Sequence, residues 1–189
     1  ASNYDVQLSF GPDCIFDTTI VLNQPDLLDA TFTIDSVSCN GLCDGQIQAN
    51  TTGGTIPYNY SLGGAPSQVS DTYSGLCTGA AVITITDVNN CQAVFPNTIF
   101  EPDVLQLVQI SLTNETCSLD NGEIEVDAIG GTAPFSYSLN AAPGQASGLF
   151  SNLDQGNYTI DVTDANGCTA SIVLDIIDEP SPDPFVDVL

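Results

Sequence analysis

Two kinds of residue carry almost all the reactive chemistry in this 189-residue chain: seven cysteines, and 24 aspartates and glutamates. Carboxylates are hard oxygen donors and could gather around Ca²⁺. The candidate ligands are Asp87 with Asn89, Asp164 with Asn166, and Asp178 with Glu179 and Asp183. Against this stands turn chemistry, for which Asp and Asn are also favoured residues, and no EF-hand or RTX-type loop accompanies them. Calcium is the cofactor these groups would take, and none is required. Acid pairs such as Glu123 and Glu125 have the residue types of a glycosidase. Their counterparts one repeat earlier are Gln46 and Gln48, so a catalytic pair is not expected and the chain does not read as an enzyme.

Histidine, lysine and arginine are absent, and the formal net charge is −24. An ordinary domain is about 25% charged with both signs present. Their absence excludes a Ser–His–Asp triad, a Cys–His pair, a Schiff base and a His-ligated metal, and also an intramolecular Lys–Asn isopeptide bond. Nucleic acid is excluded as a partner because no side chain can neutralise a phosphate, and anionic lipid surfaces fall for the same reason. Trypsin-like proteases have nothing to cut, which suits a protein exposed outside a cell. Uniform negative charge opposes edge-to-edge association of strands.

The residues that must position these groups form a β protein. Apolar residues make up 42% of the chain and the mean hydropathy is +0.14, too apolar for a disordered acidic tail. No run approaches the roughly 18 apolar residues of a membrane-spanning helix. Alternating segments such as GEIEVDA from Gly122 and YTIDVTD from Tyr158 read as half-buried strands. Asn166-Gly167 reads as a two-residue hairpin turn, and Asn89-Asn90 holds the same place more weakly.

Internal periodicity is the strongest signal. The run from Cys39, CNGLCDGQIQANTTGGTIPYNYSL, returns from Cys117 as CSLDNGEIEVDAIGGTAPFSYSL. Gly53, Gly54, Thr55, Pro57 and Tyr60 recur 77 residues later as Gly130, Gly131, Thr132, Pro134 and Tyr137. The same offset links TITDVNNC, ending at Cys91, to DVTDANGC, ending at Cys168, and places Cys14 ahead of Cys91. Residues 25–101 and 102–179 are therefore expected to be two small β-sandwich modules. Residues 1–24 read as the last strands of a preceding module and 180–189 as a linker, so the chain reads as a cut from a longer array. The paired aromatics Tyr58/Tyr60 and Phe135/Tyr137 could offer a carbohydrate platform, but their recurrence favours core filling.

Seven cysteines without a Cys/His metal pattern favour an oxidising compartment. The second module holds only Cys117 and Cys168, so a bond within it has one option, and equivalence of position then pairs Cys39 with Cys91. Cys43 and Cys77 remain for an extra bond, and Cys14 is left with a mate expected upstream. Each main bond would close a loop of about 50 residues, worth roughly 4 kcal/mol by chain entropy. A local Cys39–Cys43 bond is the rival, and a four-cysteine zinc site lacks counterparts in the second module.

The runs from Cys39 to Tyr60 and from Cys117 to Tyr137, with GGT-x-P and aromatic-x-Tyr, resemble the SprB repeat of gliding-motility surface adhesins. That resemblance implies tandem, disulfide-stapled Ig/PKD-like sandwiches forming the shaft of a very large repetitive cell-surface protein. It implies export by the type IX secretion system and carriage by the gliding machinery. Partners so implied are neighbouring repeats of the same chain and that machinery, with polysaccharide as the target if the repeats themselves bind. It also implies O-glycosylation at Asp-Ser/Thr triplets, here at Thr18 (Asp17-Thr18-Thr19) and Ser36 (Asp35-Ser36-Val37). The triplets at Asn50, Asn59, Asn114 and Asn157 matter only in a eukaryotic secretory route.

Overall fold

The structure is a computed structural model that describes residues 2–10 and 15–179. Among them every regular element is a strand. Cys14 and the stretch 180–189, with Asp183, lie outside the described residues.

A first hairpin pairs β1 (Ser2–Ser9) with β2 (Ile15–Leu22). Next come β3 (Asp29–Asp35), β4 (Gly45–Thr52), β5 (Asn59–Leu62), β6 (Thr72–Leu76), β7 (Gly79–Thr86) and β8 (Gln92–Ile99). They form two three-stranded sheets, ordered β3-β4-β6 and β5-β7-β8. The second series is β9 (Gln106–Thr113), β10 (Glu115–Thr116), β11 (Gly122–Ile129), β12 (Ser136–Leu139), β13 (Leu149–Leu153), β14 (Gly156–Thr163), β15 (Thr169–Ile176) and β16 (Asp178–Glu179). Its sheets are β13-β11-β9 and β12-β14-β15, with β10 and β16 as a short parallel pair. The architecture is all-β, with two β-sandwiches and two disulfide bonds among the described residues.

By its contacts the chain divides into two compact units. One comprises Ile47–Tyr73, Ala80–Thr98 and the described part of Ala1–Ile34; the other comprises Asp35–Gln46, Ser74–Gly79 and the described part of Ile99–Leu189.

Strand alternation decides which side chains reach the cores, because successive residues point to opposite faces. In the second unit Ile124 and Val126 of β11 and Leu153 of β13 meet Tyr137 of β12, Ile160 and Val162 of β14 and Ile176 of β15. Two facing sheets therefore supply one core, the defining feature of a sandwich. The first unit buries Leu28, Ile47, Ala49, Tyr60, Ala81, Ile83 and Ile85. Six of these seven stand 77 residues before a core residue of the second unit (Leu105, Ile124, Val126, Tyr137, Ile160, Val162). Tyr60 and Tyr137 are buried and Phe135 packs against the second core, so the recurring aromatics fill cores and do not form a platform.

The β1–β2 hairpin has the same register as the pair β14–β15, 154 residues on. Positions that are core in the later copies carry Val6, Leu8 and Leu22 here, and Leu8 and Leu22 are exposed.

Candidate functional site

The recurrent motifs converge on one local structure, present once in each unit. Asp164 directly follows β14 and is buried, and its carboxylate accepts three backbone hydrogen bonds. Oδ1 takes the N–H of Asn166 at 2.9 Å and of Cys168 at 2.9 Å; Oδ2 takes the N–H of Thr132 at 2.9 Å. The side-chain amide of Asn166 donates to Thr132 Oγ1 at 3.2 Å. Asp87 repeats this, with donors Asn89 (2.9 Å), Cys91 (2.8 Å) and Thr55 (3.0 Å), and with Asn89 Nδ2 on Thr55 Oγ1 at 3.0 Å. One carboxylate thus clamps the Gly-Gly-Thr loop to the hairpin turn that presents a cysteine.

The glycines before each threonine are required by space as well as by conformation. Gly130 has φ +71°, and a Cβ there would stand 2.1 Å from the carbonyl oxygen of Val104. At Gly53, with φ +68°, it would stand 1.9 Å from the carbonyl oxygen of Leu27. Both the left-handed backbone and the close approach favour glycine alone.

Burial by itself would raise the pKa of Asp164, but the hydrogen bonds from Thr132, Cys168 and Asn166 outweigh it, so the pKa lies below the ordinary value. Asp87 is likewise lowered: desolvation opposes, and donors from Cys91, Thr55 and Asn89 prevail. The expected calcium ligands Asp87 and Asp164 are therefore committed to backbone N–H groups. Asp178, on β16, accepts from Ser118 N at 3.3 Å and Ser118 Oγ at 3.0 Å. Among the described residues none of the three belongs to a convergent group of carboxylates.

A different carboxylate group does converge. Glu115, Asp120 and Asp154 each offer an oxygen, all within 4.8 Å of one another. Glu115 is fully buried and accepts from Asp120 N at 2.9 Å and Gln155 N at 2.7 Å. A hard cation would find oxygen ligands there. The sequence held one signal: Glu115 precedes Cys117 by two residues, just as the buried Val37 precedes Cys39.

The cysteine pairing departs from expectation. Cys43 is bonded to Cys77, but Cys39 is bonded to Cys168, with Cα atoms 5.7 Å apart. Cys91 and Cys117 are free and exposed. The expected Cys39–Cys91 and Cys117–Cys168 bonds are thus corrected. The reason is local docking. The segment around Cys39 lies along residues 100–102 and the turn carrying Cys168: Val37 N donates to Phe100 O at 3.1 Å, Asn40 Nδ2 to Pro102 O at 3.0 Å, Gly41 N to Glu101 Oε2 at 2.9 Å and Asn166 Nδ2 to Ser38 O at 3.0 Å. Of the implied glycosylation residues, Thr18 is half-buried on β2 opposite Val6, and Ser36 is exposed.

No curated protein matches the chain in sequence. Among solved structures it is similar to a C-terminal 282-residue fragment of intimin, crystallised with the intimin-binding domain of the translocated intimin receptor (11% identity, 77% of this chain, 63% of that one, TM-score 0.42). It is also similar to the N-terminal eight Ig domains of Down syndrome cell adhesion molecule (13%, 94% and 28%, 0.43). A protocadherin gammaB7 EC3-6 structure is a third (13%, 94% and 56%, 0.28). The chain spans less than two thirds of each of these. The family pattern described as SprB repeat matches at residues 31–66 and again at 110–144, the two segments that carry the Gly-Gly-Thr loops and the strands around them.

Proposed function

We propose that this chain is a stalk region of a large bacterial cell-surface adhesin, a run of stapled modules that serves gliding motility and surface attachment. The observation that carries the reading is the pair of matches to the SprB repeat pattern, each on the same kind of sandwich with the same carboxylate clamp. The recurring side chains are spent on cores and turns, as suits a shaft. Modules at 25–101 and 102–179, an extracellular location, export by type IX secretion, contact with neighbouring repeats and the gliding machinery, and a non-enzymatic role belong to this proposal. The charge of −24 would keep neighbouring shafts from associating edge to edge.

The test is antibody against the purified chain applied to intact, motile cells. Surface label that travels with the gliding machinery is expected; label only after permeabilisation overturns the reading. A second arm applies the chain to a glycan array with calcium or with chelator. Absence of binding is expected of a shaft. Calcium-dependent binding would transfer the function to the repeats themselves, as grips on polysaccharide.

A further inference from the structure

The Cys39–Cys168 bond spans 129 residues and joins the first sequence repeat to the second. It sits on a built surface. Pro102 and Glu101 take the Asn40 and Gly41 donors, Asn166 holds the Ser38 carbonyl, and Cys168 Sγ lies 3.4 Å from that same oxygen. Both cysteines of the bond are half-buried.

The same surface exists one repeat earlier. Gln24, Pro25, Thr55, Asn89 and Cys91 stand 77 residues before Glu101, Pro102, Thr132, Asn166 and Cys168. The Asp87 clamp holds Asn89 and Cys91 with the donors and distances that Asp164 gives their counterparts. Asn89 Nδ2 donates to Thr55 Oγ1, and its other amide hydrogen, the counterpart of the one Asn166 gives to Ser38, has no partner among the described residues. Beside Cys91 lies a cavity of about 230 Å³ lined in part by Gln24, Pro25, Gly54 and Asp87. Cys117, in turn, follows Thr116 as Cys39 follows Ser38, and it too is free and exposed.

We propose that Cys91 and Cys117 are complementary halves of the Cys39–Cys168 kind of bond. Cys91 takes the Cys39-type cysteine of another repeat, and Cys117 reaches the hairpin cysteine of another repeat. The partner on either side is a module of this same kind, which a second copy of this chain supplies. The modules are then joined head to tail by covalent bonds between repeats. Chemically, a thiolate attacks a small-molecule disulfide and releases one thiol. The second cysteine thiolate then attacks the mixed disulfide and releases the other. Two protein thiols are oxidised to one S–S bond while one small disulfide is reduced to two thiols. The inference stands on the repeat and the observed bond, not on the adhesin reading, so either can fail alone.

The experiment uses the full chain carrying Cys14→Ser, oxidised in a glutathione redox buffer and followed on non-reducing gels. Junctions are mapped by mass spectrometry after cleavage at Asp and Glu. A ladder of covalent multimers is expected. Cys91–Cys117 junctions should exceed the symmetric Cys91–Cys91 and Cys117–Cys117 junctions roughly tenfold, the preference that about 1.4 kcal/mol of docking supplies. With Cys91→Ser or Cys117→Ser added, each variant alone should stay monomeric, and their mixture should stop at the dimer. Both variants leave the two observed bonds intact, so unchanged melting curves certify their folding. Random pairing, in which about half of all junctions join unlike cysteines, overturns the proposal. So does a map that returns Cys39–Cys91 and Cys117–Cys168 within one chain.

Discussion

Replacing Asp164 with alanine removes the acceptor of three backbone donors at once. Hydrogen bonds to a charged group contribute about 1.5–3 kcal/mol each, and an orphaned buried donor costs a similar amount. Asn166 is exposed at the turn, so its N–H can turn to water. Thr132 and Cys168 are half-buried and lose more. Counting those two gives a loss of about 3 kcal/mol. For a domain of this size that lowers the melting temperature by roughly 12–24 °C. Asp164→Asn keeps an oxygen for Asn166 and Cys168 but turns an amide donor toward the Thr132 N–H, so about half the loss is expected. The control is Asp175→Asn on the exposed face of β15, which removes one negative charge and no clamp. The assay is scanning calorimetry at neutral pH with the disulfides intact. Because folding lowers the pKa of Asp164, the stability it contributes is complete above the unfolded value of about 3.9 and is lost as pH falls through the folded value. The gap between the native protein and Asp164→Asn should hold steady from neutral pH to about pH 5 and narrow below about pH 4. A shift under about 4 °C for Asp164→Ala, roughly 1 kcal/mol, or one equalled by Asp175→Asn, would refute the clamp.

Gly130→Ala forces a Cβ to within 2.1 Å of Val104 O at a φ of +71°, and a loss above about 2 kcal/mol in urea unfolding is expected; a neutral result would mean the loop is not held as described. Cys43→Ser opens the bond across a separation of 34 residues; chain entropy sets the expected loss at about 4 kcal/mol, read from thermal melts. With a net charge of −24 and no basic side chain, self-repulsion opposes the compact state. Raising NaCl from 10 mM to about 150 mM shortens the screening length from about 30 Å to about 8 Å and should raise the melting temperature; a fall would contradict the repulsion argument.

The sandwich was legible because its cores obey the two periods that a sequence displays openly. Strand alternation marks Ile124 and Val126, and the repeat marks Ile47 and Ala49 as their counterparts. The Gly-Gly-Thr loops were legible for the same reason, but the hairpin turn sits one residue earlier than the two-residue Asn166-Gly167 turn read from the sequence: Gly167 N donates to Asp164 O around Ala165 and Asn166, because Gly167 alone takes the positive φ. What these residues do together was not. Asp164 and Thr132 lie 32 residues apart in different loops, and nothing in either local pattern says that one carboxylate closes the loop of the other. Read alone, an aspartate beside an asparagine in an acidic chain suggests a cation ligand. Its burial and its three N–H donors turn it into a clamp. The Glu115, Asp120 and Asp154 group was missed because Asp154 follows β13 and reaches Glu115 only through the folded sheet.

The cysteine bonds expose a limit of repeat reasoning itself. The repeat sorts cysteines into classes: Cys91 and Cys168, 77 residues apart, are hairpin cysteines, and Cys39 and Cys117, 78 apart, precede β4 and β11. It says that one class bonds the other. It does not say whether the partner sits in the same repeat or the next, because both choices repeat equally well. Eliminating options within a module decides the matter only if bonds stay within modules. Loop-closure entropy does not favour the nearer choice, since a 129-residue closure constrains the unfolded chain slightly more than one of about 50. The decision belongs to the surface on which Ser38, Asn40 and Gly41 lie. That surface is made of Glu101, Pro102, Thr132 and Asn166, and its copy around Cys91 has Gln24 in place of Glu101. Gln24 can still accept an N–H, as Glu101 does from Gly41, but without the charge. A Gln24→Glu variant should therefore raise the share of Cys91 found in mixed Cys91–Cys117 junctions under the same oxidation. An unchanged share would place the selectivity in the Asn89 and Cys91 turn alone.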